Sequence, residues 1–144
     1  MKFSLKVEYG LRALIELAQR QDEGPIGTRE IALRQGIPER FLEQQLAVLK
    51  NASIIVSLRG AQGGSVLAKA PSEISVLEVI EALDGPVLNQ DCLSVKEHSC
   101  QHFSQCVVQE LWYNSQLKLK SYLASITLAD LVNRQKQLQA KVRV

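Results

Sequence analysis

Residues 28–50 read TREIALRQGIPERFLEQQLAVLK. Thr28 is the expected N-cap of a short helix that carries Ile31, Ala32 and Leu33. Gly36 stops that helix, and Ile37-Pro38 makes a tight turn. Proline cannot continue the first helix but sits well just before a new one. A second helix then runs from about Glu39 to Lys50. Phe41, Leu42, Leu46 and Leu49 give it an apolar stripe, while Arg40, Glu43, Gln44 and Gln45 fall largely on other faces. Two short helices across a glycine-bearing turn suggest a helix-turn-helix, in which the second helix presents its first residues to base edges.

The flanks fit that reading. Upstream, residues 5–20 form a helix with Leu5, Leu11, Leu14, Ile15, Leu17 and Ala18 mostly on one side, ended by Asp22-Glu23-Gly24-Pro25. Downstream, Ile54-Ile55-Val56-Ser57-Leu58 reads as a strand and Val66-Leu67-Ala68 as its return. Arg59-Gly60-Ala61-Gln62-Gly63-Gly64 between them is a glycine-rich tip. Three helices and a hairpin in this order make a winged helix-turn-helix. Ser75 with Glu78 predicts a capping box for a further helix, closed by Gly85-Pro86. From about Cys106 a long amphipathic helix carries Val108, Leu111, Trp112, Leu119, Tyr122 and Leu123. A stripe that long needs a partner surface, and a second subunit is the expected source. Ser125 or Thr127 opens a last helix, whose basic tail after Leu138 is expected to fray. The fold class is therefore mainly α with a small β-hairpin wing plus a long dimerisation helix.

Length and composition agree with one small globular unit: 144 residues, 46% apolar and 22% charged. The net charge of +2 hides three zones. Residues 1–70 carry +3, residues 71–111 carry −6 and residues 112–144 carry +5. A basic first zone suits a polyanion. No apolar run approaches the roughly 20 residues that cross a bilayer. The first ten residues include Glu8 and lack an apolar core, so no signal peptide is expected, and the expected compartment is the cytoplasm.

Duplex DNA is thus the expected partner, without a membrane. Glu39, Arg40, Glu43 and Gln44 are the candidate base readers: glutamine pairs with adenine, glutamate accepts from cytosine, and arginine reaches guanine or phosphate. Arg59 at the wing tip suits the minor groove, with the amides of Gly60 and Gly63 near phosphates. Arg12, Arg29 and Lys50 are further phosphate contacts. The glycine tip lacks the Lys-Ser/Thr and following helix of a nucleotide-binding loop. No Ser/His/Asp arrangement, framed carboxylate pair or nucleotide fingerprint suggests an enzyme.

All three cysteines, Cys92, Cys100 and Cys106, fall within fifteen residues, with seven and then five residues between them. The number is odd, and zinc fingers usually show closer pairs. Three thiolates in one polar segment fit an iron–sulfur cluster with a fourth donor. Zinc and unliganded, redox-active thiols are the alternatives. His98, His102, or Glu8 from another subunit can supply the fourth ligand. A small iron–sulfur carrier with no DNA role is a rival from another class.

The chain resembles the IscR/NsrR/RirA-like family of bacterial iron–sulfur winged-helix regulators. The likeness runs over nearly the whole chain: Met1-Lys2-Phe3-Ser4 with Tyr9-Gly10-Leu11-Arg12-Ala13-Leu14, then Ile37 through Gln44, then Arg59 through Gly64. It continues through Ile80-Glu81-Ala82-Leu83-Asp84-Gly85, the cysteines, and Ile126 through Val132. The resemblance implies a homodimer on near-palindromic promoter DNA and a 2Fe–2S or 4Fe–4S cluster on the three cysteines that gates affinity. It assigns base reading to Glu43 and Gln44 and the wing contact to Arg59. The first cysteine gap is longer than in much of the family, and Gln109 stands where the IscR branch has a histidine ligand. The branch with an acidic ligand from the partner's first helix is therefore implied, with Glu8 at that position. The resulting division is 1–84 for DNA binding, 85–105 for the cluster loop, and 106–144 for the dimerisation and C-terminal helices.

Overall fold

The computed structural model describes residues 2–87 and 105–143. The first helix, α1 (Leu5–Gln19), is anchored at its start: the backbone N–H and hydroxyl of Ser4 both donate to the Asp84 carboxylate. Its buried face is Val7, Gly10, Ala13, Leu14, Glu16 and Leu17. Leu5, expected in the apolar stripe, is exposed, and the carboxylate of Glu16 lies inside instead.

Next come α2 (Thr28–Gln35) and α3 (Glu39–Asn51). The N-cap of α2 is Gly27 rather than Thr28. Ile26 is held extended by mutual backbone bonds to Ser65 at 3.1 and 2.9 Å, and Ile31 then donates to the Gly27 carbonyl at 3.2 Å. The helix can start only after that bridge, so Thr28 is its first residue. Gly36 ends α2 in the left-handed conformation (φ +63°), which a side chain would strain. Ile37 donates back to the Ala32 carbonyl at 2.9 Å, and Pro38 opens α3.

Strands β1 (Ile55–Leu58) and β2 (Gly64–Leu67) pair antiparallel, Ile55 opposite Leu67 and Leu58 opposite Gly64. The wing roots directly in α3, because Ile54 donates to the Leu49 carbonyl and accepts from Ala68, both at 3.0 Å. A Cβ on Gly64 would sit 2.4 Å from the Ile26 carbonyl, so the bridge that places α2 requires glycine there.

Helix α4 (Val76–Asp84) packs on α1. Ser75 caps it through the Glu78 N–H at 3.1 Å, but the reciprocal half of the expected box does not form. Glu78 instead binds Lys69 at 2.7 Å and so ties α4 to the end of the wing. Helices α5 (Val107–Ser125) and α6 (Leu128–Val142) follow. Thr127 and Asp130 form a complete capping box at the start of α6, whereas the Ser125 hydroxyl donates to the Tyr122 carbonyl at 2.6 Å. The expected fraying after Leu138 is not seen, since α6 continues to Val142.

The core gathers Leu14, Ile31, Leu42, Leu49, Ile54, Ile55, Ile74, Val79 and Leu128. Leu128 belongs to α6, which lies along α1. Its entry is stitched to the start of α4 by Val76 N–H to the Ile126 carbonyl (2.9 Å) and Leu128 N–H to the Ile74 carbonyl (2.8 Å). Among the described residues no helix is long and apolar enough to cross a membrane.

Candidate nucleic-acid interface and cysteine segment

On α3, Leu42, Gln45, Leu46 and Leu49 point inward. Gln45 was expected on the outer face, yet it is only 3% exposed. It lies three residues from Leu42, within the buried arc of the helix. Its Nε2 donates to the Phe41 carbonyl at 3.5 Å, and its Oε1 accepts no hydrogen bond. Glu39, Arg40, Glu43 and Gln44 are all exposed, as are Lys50 and Arg59. None of these side chains forms an ion pair or side-chain hydrogen bond among the described residues. Arg29, Gly36, Pro38 and Glu39 line one cleft of about 480 Å³ in front of the turn between α2 and α3. The fold thus brings Arg29 beside the first residue of α3.

At the wing tip Gly60 has φ +123° and its carbonyl accepts the Gly63 N–H at 3.0 Å. A Cβ on Gly63 would lie 2.4 Å from the Leu58 carbonyl. Gly63 therefore serves the turn itself, and its amide is already engaged. Arg59 is left projecting from a short, closed tip.

A polar clamp ties α2, the helix before α3, to α1. The Glu16 carboxylate, on a residue only 4% exposed, receives Arg34 Nε at 2.6 Å, Gln35 Nε2 at 2.8 Å and Arg20 Nη1 at 3.2 Å. Arg20 also binds Glu23 at 2.5 Å and Glu30 at 2.6 Å. Glu23 first, then Glu30 and Glu16, hold the Arg20 guanidinium protonated above its ordinary range, and Arg20 holds the Glu23 carboxyl below its own. Sequence reading missed this clamp. Arg34 and Gln35 lie 18 and 19 residues from Glu16 along the chain, and the local signals were an acid within the apolar face of α1 and its i,i+4 spacing to Arg20. Arg12, expected at a phosphate, is engaged instead: it donates to the Gln35 carbonyl, lies 5.7 Å from the Tyr9 ring centre and sits 3.7 Å from Glu8. Tyr9 meets Phe41 of α3 edge-on, ring centres 5.5 Å apart.

In the cysteine segment, Cys92, Cys100, His98 and His102 lie outside the described residues. Cys106 is half-buried and is the N-cap residue of α5. Glu8 is exposed on α1, and its surface pairing with Arg12 is its one ion pair among the described residues. Among the described residues no group of three His, Cys, Asp or Glu side chains is placed to hold a metal. Helix α5 touches α4 through the Lys120–Glu81 pair at 3.5 Å and buried Leu123. Its first turns expose Val107, Val108, Leu111, Trp112, Tyr113 and Leu117.

Comparison with known proteins follows the same outline. A family model described as Rrf2, iron-dependent transcriptional regulator, matches residues 3–134. The chain is 37% identical over 133 residues to the HTH-type transcriptional regulator CymR of Bacillus subtilis (strain 168), covering 92% of this chain and 91% of that one. Among solved structures, T. potens IscR superposes with a TM-score of 0.79 at 38% identity, covering 96% and 91% of the two chains. CymR (YrzC), the global cysteine regulator of B. subtilis, superposes with a TM-score of 0.77 at 36% identity, covering 93% and 98%. These relatives are named as transcription regulators, not enzymes. With the hairpin wing and the helix pair in place, this chain belongs to the Rrf2 family of transcription regulators.

Proposed function

We propose that the chain is a homodimeric, promoter-binding regulator, most simply a repressor, whose DNA affinity is set by an iron–sulfur cluster on Cys92, Cys100 and Cys106. The observation that carries the DNA half is the set Glu39, Arg40, Glu43 and Gln44 at the start of α3, exposed and unpaired among the described residues. Arg29 and Arg59 flank it with positive charge. Family regulators bind DNA, and the fold supplies the wing that such binding uses. Its place of work is the cytoplasm.

The cofactor half rests on donor chemistry. Three soft thiolates within fifteen residues suit iron and sulfide. Cys106 is accessible at the head of α5, and Glu8 is outward and held by no more than a surface ion pair with Arg12. A cluster supplies a redox- and iron-responsive crosslink when bound. This chain's residues would hold it through the three cysteines, with Glu8 of the partner subunit as the candidate fourth ligand. The exposed first turns of α5 supply the subunit contact that brings the two together. The cysteine segment would then lie between α5 and the partner's DNA-binding domain. A change there alters the spacing of two recognition helices, and a tenfold change in affinity needs only about 1.4 kcal/mol.

A second reading is favoured by the near-equal likeness to CymR, the global cysteine regulator. In it the thiols hold zinc or act as a redox switch, and no cluster forms.

Anaerobic purification decides between them. The first reading expects a coloured protein with stoichiometric iron and sulfide, colour lost in Cys100→Ala, and a weakened cluster in Glu8→Ala with His102→Ala unaffected. A colourless protein carrying zinc or no metal overturns it and leaves the second. Absence of salt-dependent retardation of duplex DNA overturns both and supports a small carrier.

A further inference from the structure

The outward face of α3 does not end at Gln44. Ala47 lies three residues beyond Gln44 and four beyond Glu43, and Val48 lies four beyond Gln44. Residues so spaced are neighbours on one helix surface. Ala47 is exposed and Val48 is 38% exposed, while Leu42, Gln45, Leu46 and Leu49 fill the inward side. A β-branched residue on a solvated helix face is neither favoured by the backbone nor used by this core. Its neighbours Arg40, Glu43 and Gln44 are polar, so the pair forms a small apolar step inside a polar reading surface.

The major groove offers one apolar group, the 5-methyl of thymine. Adenine, the base that glutamine pairs with, stands opposite a thymine, whose methyl projects into the same groove. We infer that Ala47 and Val48 contact the thymine methyl at or next to the base pair addressed by Gln44, and so give this regulator a preference for A·T at that step. Ala47 lets the helix approach closely, and Val48 supplies the methyl-sized contact. The inference rests on the DNA-binding reading of α3, and its test separates the two.

The full-length, anaerobically purified protein selects its half-site from a randomised duplex pool. Each thymine is then replaced singly by deoxyuridine, which removes only the methyl. The expected result is one step at which wild-type affinity falls about three- to fivefold, the worth of one buried methyl. The same replacement leaves Val48→Ala changed by less than about twofold. Val48→Ala raises helix propensity at an exposed site, so it folds; Ala47→Ser gives a second test and should lower affinity for thymine more than for deoxyuridine. The inference is overturned if no thymine occupies the selected step. It is also overturned if deoxyuridine is neutral at every position, or if it costs wild type and Val48→Ala equally. Failure to select any duplex would instead overturn the DNA-binding reading itself.

Discussion

Glu16 is the carboxylate that ties α2 to α1. It is removed from water and answered by three donors, two of them from α2. Glu16→Ala leaves Gln35 Nε2 without its bond and Arg34 without its anion. The expected loss is about 2 kcal/mol, the net worth of hydrogen bonds to a charged acceptor. Urea unfolding should show it as a lower midpoint with an unchanged slope. An unchanged midpoint would mean that the clamp contributes nothing net. Gln44 is the opposite kind of residue, exposed and bonded to nothing described. Gln44→Ala should leave stability alone and reduce discrimination between cognate and random duplex by about 1–3 kcal/mol. Arg59→Ala should weaken both duplexes and reduce the salt slope by about one. If Gln44→Ala weakens both alike, it reads no base. The contrast marks the limit of sequence reading at this scale. Exposed candidate readers follow from a local helical pattern, whereas Glu16 and Arg12 also meet Gln35, which folding brings close, and Gln45 is buried by the core around α3.

Elements were legible where their ends are encoded locally. Thr127 is one of the two starts that the sequence offers for α6, and with Asp130 it forms the cap, while Gly36-Ile37-Pro38 announces the turn into α3. The start of α2 was misplaced by one residue because its limit is a bridge to Ser65, distant in sequence. The half-formed box at Ser75 has the same cause, Lys69 having taken Glu78. The α6 cap also makes a pH prediction. Hydrogen bonds from the Thr127 backbone and hydroxyl lower the Asp130 pKa, as Arg20 lowers that of Glu23. A carboxylate with a lowered folded pKa adds stability that is fully present above the unfolded value, near 4, and is lost as pH falls through the folded value. Thermal midpoints should therefore hold steady above about pH 5 and fall below pH 4. Asp130→Asn should flatten part of that acid decline, and a decline identical to wild type would remove Asp130 as a contributor. Thr127→Ala should cost about 1 kcal/mol at neutral pH.

At the scale of the molecule, the described residues leave one helix with a broad apolar face in solvent. Helices α1 to α4 and α6 share a core, whereas the first turns of α5 carry Val108, Leu111, Trp112 and Leu117 in solvent. A helix so exposed on several sides does not stand alone in water. In the proposed dimer, pairing through α5 would also matter for recognition, because two half-sites must lie about one helical turn apart on DNA. A double variant, Leu111→Glu with Leu117→Glu, places four like charges across a twofold contact while leaving the wing and α3 untouched. Sedimentation should change from dimer to monomer, and the circular dichroism of the DNA-binding core should persist. Affinity for a two-half-site duplex should fall about a hundredfold or more, since the second half-site no longer binds within the same complex. Adding about half a helical turn between half-sites should harm the wild type severely and the variant hardly at all. A variant that stays dimeric, or a wild type indifferent to spacing, would show that α5 does not set the distance between recognition helices.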